Sequence, residues 1–158
     1  MFIDETIAAN LIRHTRELLK LIATLPENEK RERQGVYLCV RDQATGLILL
    51  LVPVGKFDDM SFARRCCLYA QEKTARLLSH PEHQASSQSA NPDLELYGGG
   101  VVCPIANVII APSGLTAVCD EALGANLGLK MGWMFPDQIS HLSTLTQNTA
   151  ITSLCRAA

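Results

Sequence analysis

Apolar residues return every three to four positions through Ile7, Leu11, His14, Leu18, Leu21 and Leu25, while Arg13, Arg16, Glu17 and Lys20 lie off that line. This spacing predicts an amphipathic helix over residues 4–25, ended by Pro26. The period then changes to two. Val36, Leu38 and Val40 alternate with polar or smaller neighbours over residues 36–42 and predict a strand, followed by a hairpin loop at Asp42-Gln43-Ala44-Thr45-Gly46. The returning segment, opened by Leu47 and closed by Val54, is apolar at both parities, so both of its faces should be covered, inside the sheet or against another subunit. Helical spacing resumes at residues 60–79, where Asp58 or Asp59 can cap a helix whose inward line is Phe62, Cys66, Tyr69, Lys73 and Leu77.

The polar run of residues 81–92 reads as a surface loop, and the stretch from Tyr97 to Trp133 follows it. A strand is expected over residues 94–103, a bend at Pro104-Ile105-Ala106-Asn107, and a second strand over residues 107–111, stopped by Pro112. Ser113 or Thr116 then caps a third helix, with Asp120 and Glu121 in its first turns, where negative charge suits the helix dipole. Gly124, Gly128 and Gly132 recur every fourth residue and imply close approach of another backbone, from the sheet or from a second subunit. In residues 135–158, Ile139, Leu142 and Leu145 suggest a short helix and a tail. Hairpins outnumber strand–helix–strand crossovers. The expected fold class is α/β of the α+β kind, an antiparallel sheet of about four or five strands flanked by helices.

Composition narrows the setting. With 158 residues, 47% hydrophobic content and a formal net charge of −2, the chain fits one core and is greasier than average, which favours some burial between subunits. The densest charge cluster, residues 27–33, is mixed in sign, so neither nucleic acid nor an anionic membrane is an expected partner. Asp4 and Glu5 stand where a signal peptide needs positive charge, and no stretch reads as a membrane span. A cytoplasmic protein with six reduced cysteines is the expectation.

Few residues announce chemistry. His14 sits on the apolar line of its helix, either as a hydrogen-bonded imidazole or as a ligand facing a pocket. Lys73 interrupts a second apolar line, either snorkelling or contacting an anion in a cleft. Gly98-Gly99-Gly100 lacks dinucleotide-fingerprint spacing and suits a strained strand entry or a close approach of backbone to ligand. The backbone amides of Gly114, Leu115 and Thr116 can receive an anion at the start of the third helix. His80 and His83 flank Glu82 in a proline-containing loop, but with no further ligand legible no metal is expected. For catalysis only Cys103, Cys119 and His141 offer themselves, and no nucleophile–base signature joins them.

The order of elements, Ala70-Gln71-Glu72-Lys73-Thr74-Ala75, the Gly98-Gly99-Gly100 triplet, Pro112-Ser113-Gly114-Leu115-Thr116 and Asp120-Glu121-Ala122 resemble the GlcG/HbpS-like family. That family is also described as haem-degrading or PduO C-terminal-like. The resemblance spans about residues 4–133. It implies a profilin-like domain over residues 1–134, with residues 135–158 as an extension. It further implies a homo-oligomer that holds haem, a corrinoid-related molecule or another small anionic ligand. On that basis the ligand-binding candidates are His14 as axial ligand, Lys73 as carboxylate partner, and Gly98, Gly99, Gly100, Ser113, Gly114 and Thr116. Subunits would meet through residues 47–54 or the helix bearing Gly124, Gly128 and Gly132. A ligand-free scaffold and a small-molecule enzyme are the alternatives.

Overall fold

In a computed structural model covering residues 1–158, the first helix, α1 (Glu5–Ile22), starts at Asp4, whose carboxylate accepts the Ile7 amide at 2.8 Å. Strands β1 (Gln34–Asp42) and β2 (Ile48–Lys56) form the first hairpin. Its loop is tied by Asp42, whose Oδ1 accepts the amides of Ala44 and Thr45, and Gly46 takes the left-handed conformation there. Helix α2 (Met60–Ser79) is capped by Asp59. After two short 3-10 turns at residues 86–89 and 92–94 come β3 (Val101–Cys103) and β4 (Val108–Ser113). Three helices complete the chain: α3 (Ala117–Lys130), α4 (Pro136–Thr146) and α5 (Thr149–Ala157).

The four strands are all antiparallel and lie in the order β2-β1-β4-β3. The pleat of β1 sends Val36, Leu38 and Val40 to one face and Tyr37, Cys39 and Arg41 to the other. The first set joins Val108 and Ile110 of β4 and the apolar sides of α1, α3, α4 and α5 in one core. Helix α2 packs against the second face across β1 and β4. Arg41 ties it there, donating to Thr74 Oγ1 and to the Gly46 carbonyl, each at 2.8 Å.

Several expectations need correction. The segment at residues 47–54 is an edge strand: Leu49 to Val52 are half-buried and Ile48 is exposed. Pro112 does not stop a strand but lies inside β4, its carbonyl taken by Lys73 Nζ at 2.9 Å. A proline is tolerated at this place because β3 pairs β4 only as far as Ile110, so the outer side of Pro112 meets no ladder strand. The glycine triplet precedes β3 and is not part of it.

The glycine spacing of α3 divides into two uses. A Cβ on Gly124 would stand 3.2 Å from both Pro112 and Val101, and one on Gly128 would reach Cys103 Sγ at 2.8 Å, so both glycines seat α3 on its own sheet. Gly132 lies beyond the helix at φ +70°. The Trp133 amide bonds the Gly128 carbonyl at 2.8 Å and the Gly132 amide that of Leu129 at 3.0 Å, the Schellman closure of a helix end. The ridge is therefore spent within the chain and is not left for a second subunit. Residues 135–158 form two helices where one and a tail are expected. Ile139, Leu142, Ala150, Ile151 and Leu154 enter the common core, so the segment is built into the domain.

Candidate functional site

The stripe Phe62, Cys66, Tyr69 and Lys73 on α2 forms one wall of a cleft of about 510 Å³. The facing wall is the turn from Ser113 through Ala117 that leads from β4 into α3, with Asp120 one helical turn further on. Arg33, ahead of β1, and Arg65 of α2 stand at the rim, and Glu95 and Tyr97 close the side. Thr116 caps α3 through its hydroxyl, which accepts the Cys119 amide at 3.3 Å. Ala117 opens the helix, and with the Cys119 amide taken by this cap and the Asp120 amide by the Thr116 carbonyl, the amides of Ala117 and Val118 are the ones without an intrahelical acceptor.

Below this opening lies a buried ion pair. Lys73 Nζ donates to Asp120 Oδ2 at 2.9 Å, and both side chains are almost wholly buried. Asp120 Oδ1 accepts the Leu115 amide at 3.1 Å. Burial pushes the Asp120 carboxyl above its ordinary range, and the Lys73 ammonium opposes that rise. The lysine is thus neither a snorkelling residue nor a free cation waiting for a ligand carboxylate. It ties α2 to the open edge of β4 and to the start of α3.

Gly99 makes room for that pair. At φ +125°, a Cβ here would lie 2.6 Å from Asp120 Cβ and 2.8 Å from Lys73 Nζ. Its neighbours serve the loop: Gly98 packs on Ser87, and the Gly100 amide donates to Ser86 Oγ at 2.8 Å. Arg76 holds the same loop from α2, donating to the carbonyls of Ser86 and Tyr97 and pairing with Glu72 Oε1 at 2.7 Å. Tyr97 is fixed in this way beside Tyr69, their rings meeting edge to face at 5.2 Å. The Tyr69 hydroxyl donates to Glu95 Oε1 at 3.2 Å. Burial, joined by the nearby Glu95 carboxylate, pushes the Tyr69 phenol up.

Of the sequence candidates, Lys73, Ser113, Gly114 and Thr116 come together on the cleft walls. Gly98, Gly99 and Gly100 stand behind the wall as packing. His14 does not join them. It is on α1, which packs across the other face of the sheet, and its ring lies between Glu17 Oε2 at 2.9 Å and Arg13 Nη2 at 3.0 Å. No histidine lines the cleft. The lone soft ligand there, Cys66, is buried, and desolvation together with Asp120 pushes its thiol up to about 11. Burial likewise raises the thiols of Cys103 and Cys119, so neither is an activated thiolate.

The residues that sequence reading passes over are Arg33, Phe62 and Arg65 as a unit. Phe62 carries the Arg33 guanidinium at 5.0 Å and that of Arg65 at 5.8 Å from its ring centroid. Neither arginine has a carboxylate within ion-pair distance. Arg33 gives one hydrogen bond, to the Leu115 carbonyl at 3.1 Å. A smaller cavity of about 240 Å³ shares all three residues. The one legible signal was Phe62 on the apolar line of α2. Arg33 belongs to a mixed-charge linker and Arg65 to the wet face of a helix, and both look like ordinary solvated charge.

Comparison with known proteins adds no relative: no family model matches the chain, and no curated protein or solved structure does either. None of its helices is long and apolar enough to cross a membrane.

Proposed function

We propose that the chain is a binding protein for a small organic anion with a flat apolar or aromatic body, held in the cleft between α2 and the start of α3. The observation that carries this reading is the pair of guanidiniums, Arg33 and Arg65, stacked on Phe62 without a carboxylate partner. An arginine keeps its charge at any working pH and matches carboxylate or phosphate in a bidentate fork. Phe62, Tyr69 and Tyr97 offer the ring faces and edges for the apolar part. A volume near 510 Å³ falls within the usual range for small-molecule sites.

The resemblance to the GlcG/HbpS-like family supports the same general activity. Its haem version enters here through the porphyrin carboxylates and the two arginines, with no role for His14. Titration with haemin, metal-free protoporphyrin and simple aromatic carboxylates and phosphates tests the reading. At least one class should bind, and Arg33→Met with Arg65→Met should weaken it tenfold or more while His14→Ala leaves it unchanged. Retention of full affinity in the double arginine variant sinks the proposal.

A second reading concerns self-association. Edge strand β2 presents an unpaired backbone flanked by Leu47, 64% exposed, and Ile48, 39% exposed, and such an edge is a template for a second copy. Sedimentation should then give a dimer that Leu51→Lys converts to monomer. A wild-type monomer at micromolar concentration removes this reading and leaves the cleft untouched.

A further inference from the structure

The turn that ends α2 brings three metal-binding side chains together at a place remote in chemistry from the cleft. His80 is the C-terminal cap of α2, and the His83 amide donates to the His80 carbonyl at 2.9 Å, closing a tight turn through Pro81 and Glu82. The closure stacks the two imidazoles, centroids 4.9 Å apart and planes within 19°. Glu82 Oε1 stands between them, 3.3 Å from His80 Nδ1 and 3.5 Å from His83 Nε2. One ligand atom from each residue lies within 4.8 Å of the others. His83 Nδ1 is sealed from solvent, which leaves Nε2 as the atom the ring offers.

We propose that His80, Glu82 and His83 form a binding site for one divalent cation of the zinc class. Zinc holds nitrogen and carboxylate oxygen at about 2.0–2.2 Å in tetrahedral array, so neighbouring ligand atoms stand roughly 3.3–3.5 Å apart. Both contacts of Glu82 already have that spacing. The third edge of the triangle would close by a rotation of the half-exposed His80 ring. Two imidazoles and one carboxylate form a donor set that suits zinc over the harder magnesium and calcium. Three protein ligands leave a fourth position for water or a second donor.

The turn is held at both ends, which limits the ordering cost of binding. Upstream it continues α2. Downstream the Gln84 carbonyl accepts the Val102 amide at 2.9 Å, and the Ser86 amide donates to the Gly100 carbonyl at 2.8 Å. Pro81 further restricts the backbone of His80.

The test is titration of Zn²⁺, with Co²⁺ as optical probe, into the full chain kept reduced by a non-chelating phosphine. Wild type should take up one equivalent at neutral pH with a Kd at or below the micromolar range, and the affinity should fall as pH drops through the imidazole range. His80→Ala, His83→Ala and Glu82→Gln should each weaken binding at least tenfold, and cobalt should give a spectrum free of thiolate charge-transfer absorption. Absence of binding overturns the proposal. So does one equivalent retained with unchanged affinity in the His80→Ala/His83→Ala double variant, which assigns the metal to the cysteines. Glu82 is exposed and the His80 and His83 side chains are partly so, and far-UV circular dichroism should show the variants folded.

Discussion

The two faces of the sheet are buried by different means. On the face toward α1 and α3, Val36, Leu38, Val40, Val108 and Ile110 belong to one continuous apolar core. On the face toward α2, the buried residues include Lys73, Thr74, Arg76, Ser113 and Asp120, and α2 reaches the strands through hydrogen bonds as much as through methyl groups. The first face needs area and shape, and tolerates conservative apolar exchange. The second needs each polar atom paired, and in return gives a wall whose side chains stand in one arrangement beside an open cleft.

The largest effect should come from cutting that second face at its centre. Lys73→Met removes the ammonium and leaves the Asp120 carboxylate and the Pro112 carbonyl without their partner, and a buried pair broken on one side costs about 3–5 kcal/mol. Urea denaturation measures it. Adding Asp120→Leu to Lys73→Met should recover a large part of the loss, because no charge then remains buried. A double variant as unstable as the sum of the singles shows that the pair is not coupled.

On the apolar face, Leu38→Ala should cost about 2–5 kcal/mol through transfer and cavity. The contrast with the cleft face lies in the second readout. Leu38 lines neither cavity, so its loss should lower Tm without moving ligand affinity, whereas Lys73→Met should move both. Equal damage to binding from both variants erases the distinction between the faces. Gly99→Ala comes next, at about 1–3 kcal/mol for a side chain forced into φ +125° beside Asp120 and Lys73. It should also weaken binding, since the displaced pair sets the cleft wall.

The faces were not equally legible in the sequence. Periodicity identifies α1, β1 and α2 because an apolar line needs only one chemical class at a fixed spacing, and α3 was marked instead by its cap and its glycine spacing. The β1–β2 hairpin was marked by Asp42 and Gly46, which both do the turn chemistry expected of them. The cleft depends on pairings that no spacing encodes. Lys73 and Asp120 are 47 residues apart, and only the break in the α2 stripe hinted that the lysine had an unusual partner. His14 illustrates the converse: of the two readings open to an imidazole on an apolar line, the hydrogen-bonded one holds, through local bonds to Glu17 and Arg13, and the ligand role that the resemblance implied finds no cleft beside it. Pro112 misled for a related reason. A proline stops a strand only where its missing amide is needed, and whether a neighbour strand reaches that far is set by the length of β3.

The smallest effect concerns the one thiol in the cleft. Cys66 has its pKa pushed up to about 11 by desolvation, with Asp120 adding to the rise and Lys73 opposing it. At neutral pH the thiolate, the reactive form, is then a fraction on the order of one in ten thousand. Iodoacetamide labelling of Cys66, read by peptide mass spectrometry, should be slow near pH 7 and accelerate about tenfold per pH unit toward its pKa. Cys66→Ser should leave ligand affinity within about twofold. Rapid labelling at neutral pH would instead expose an activated thiol, moving the cleft from a binding site toward a catalytic one and placing the polar face of the sheet in the service of a reaction.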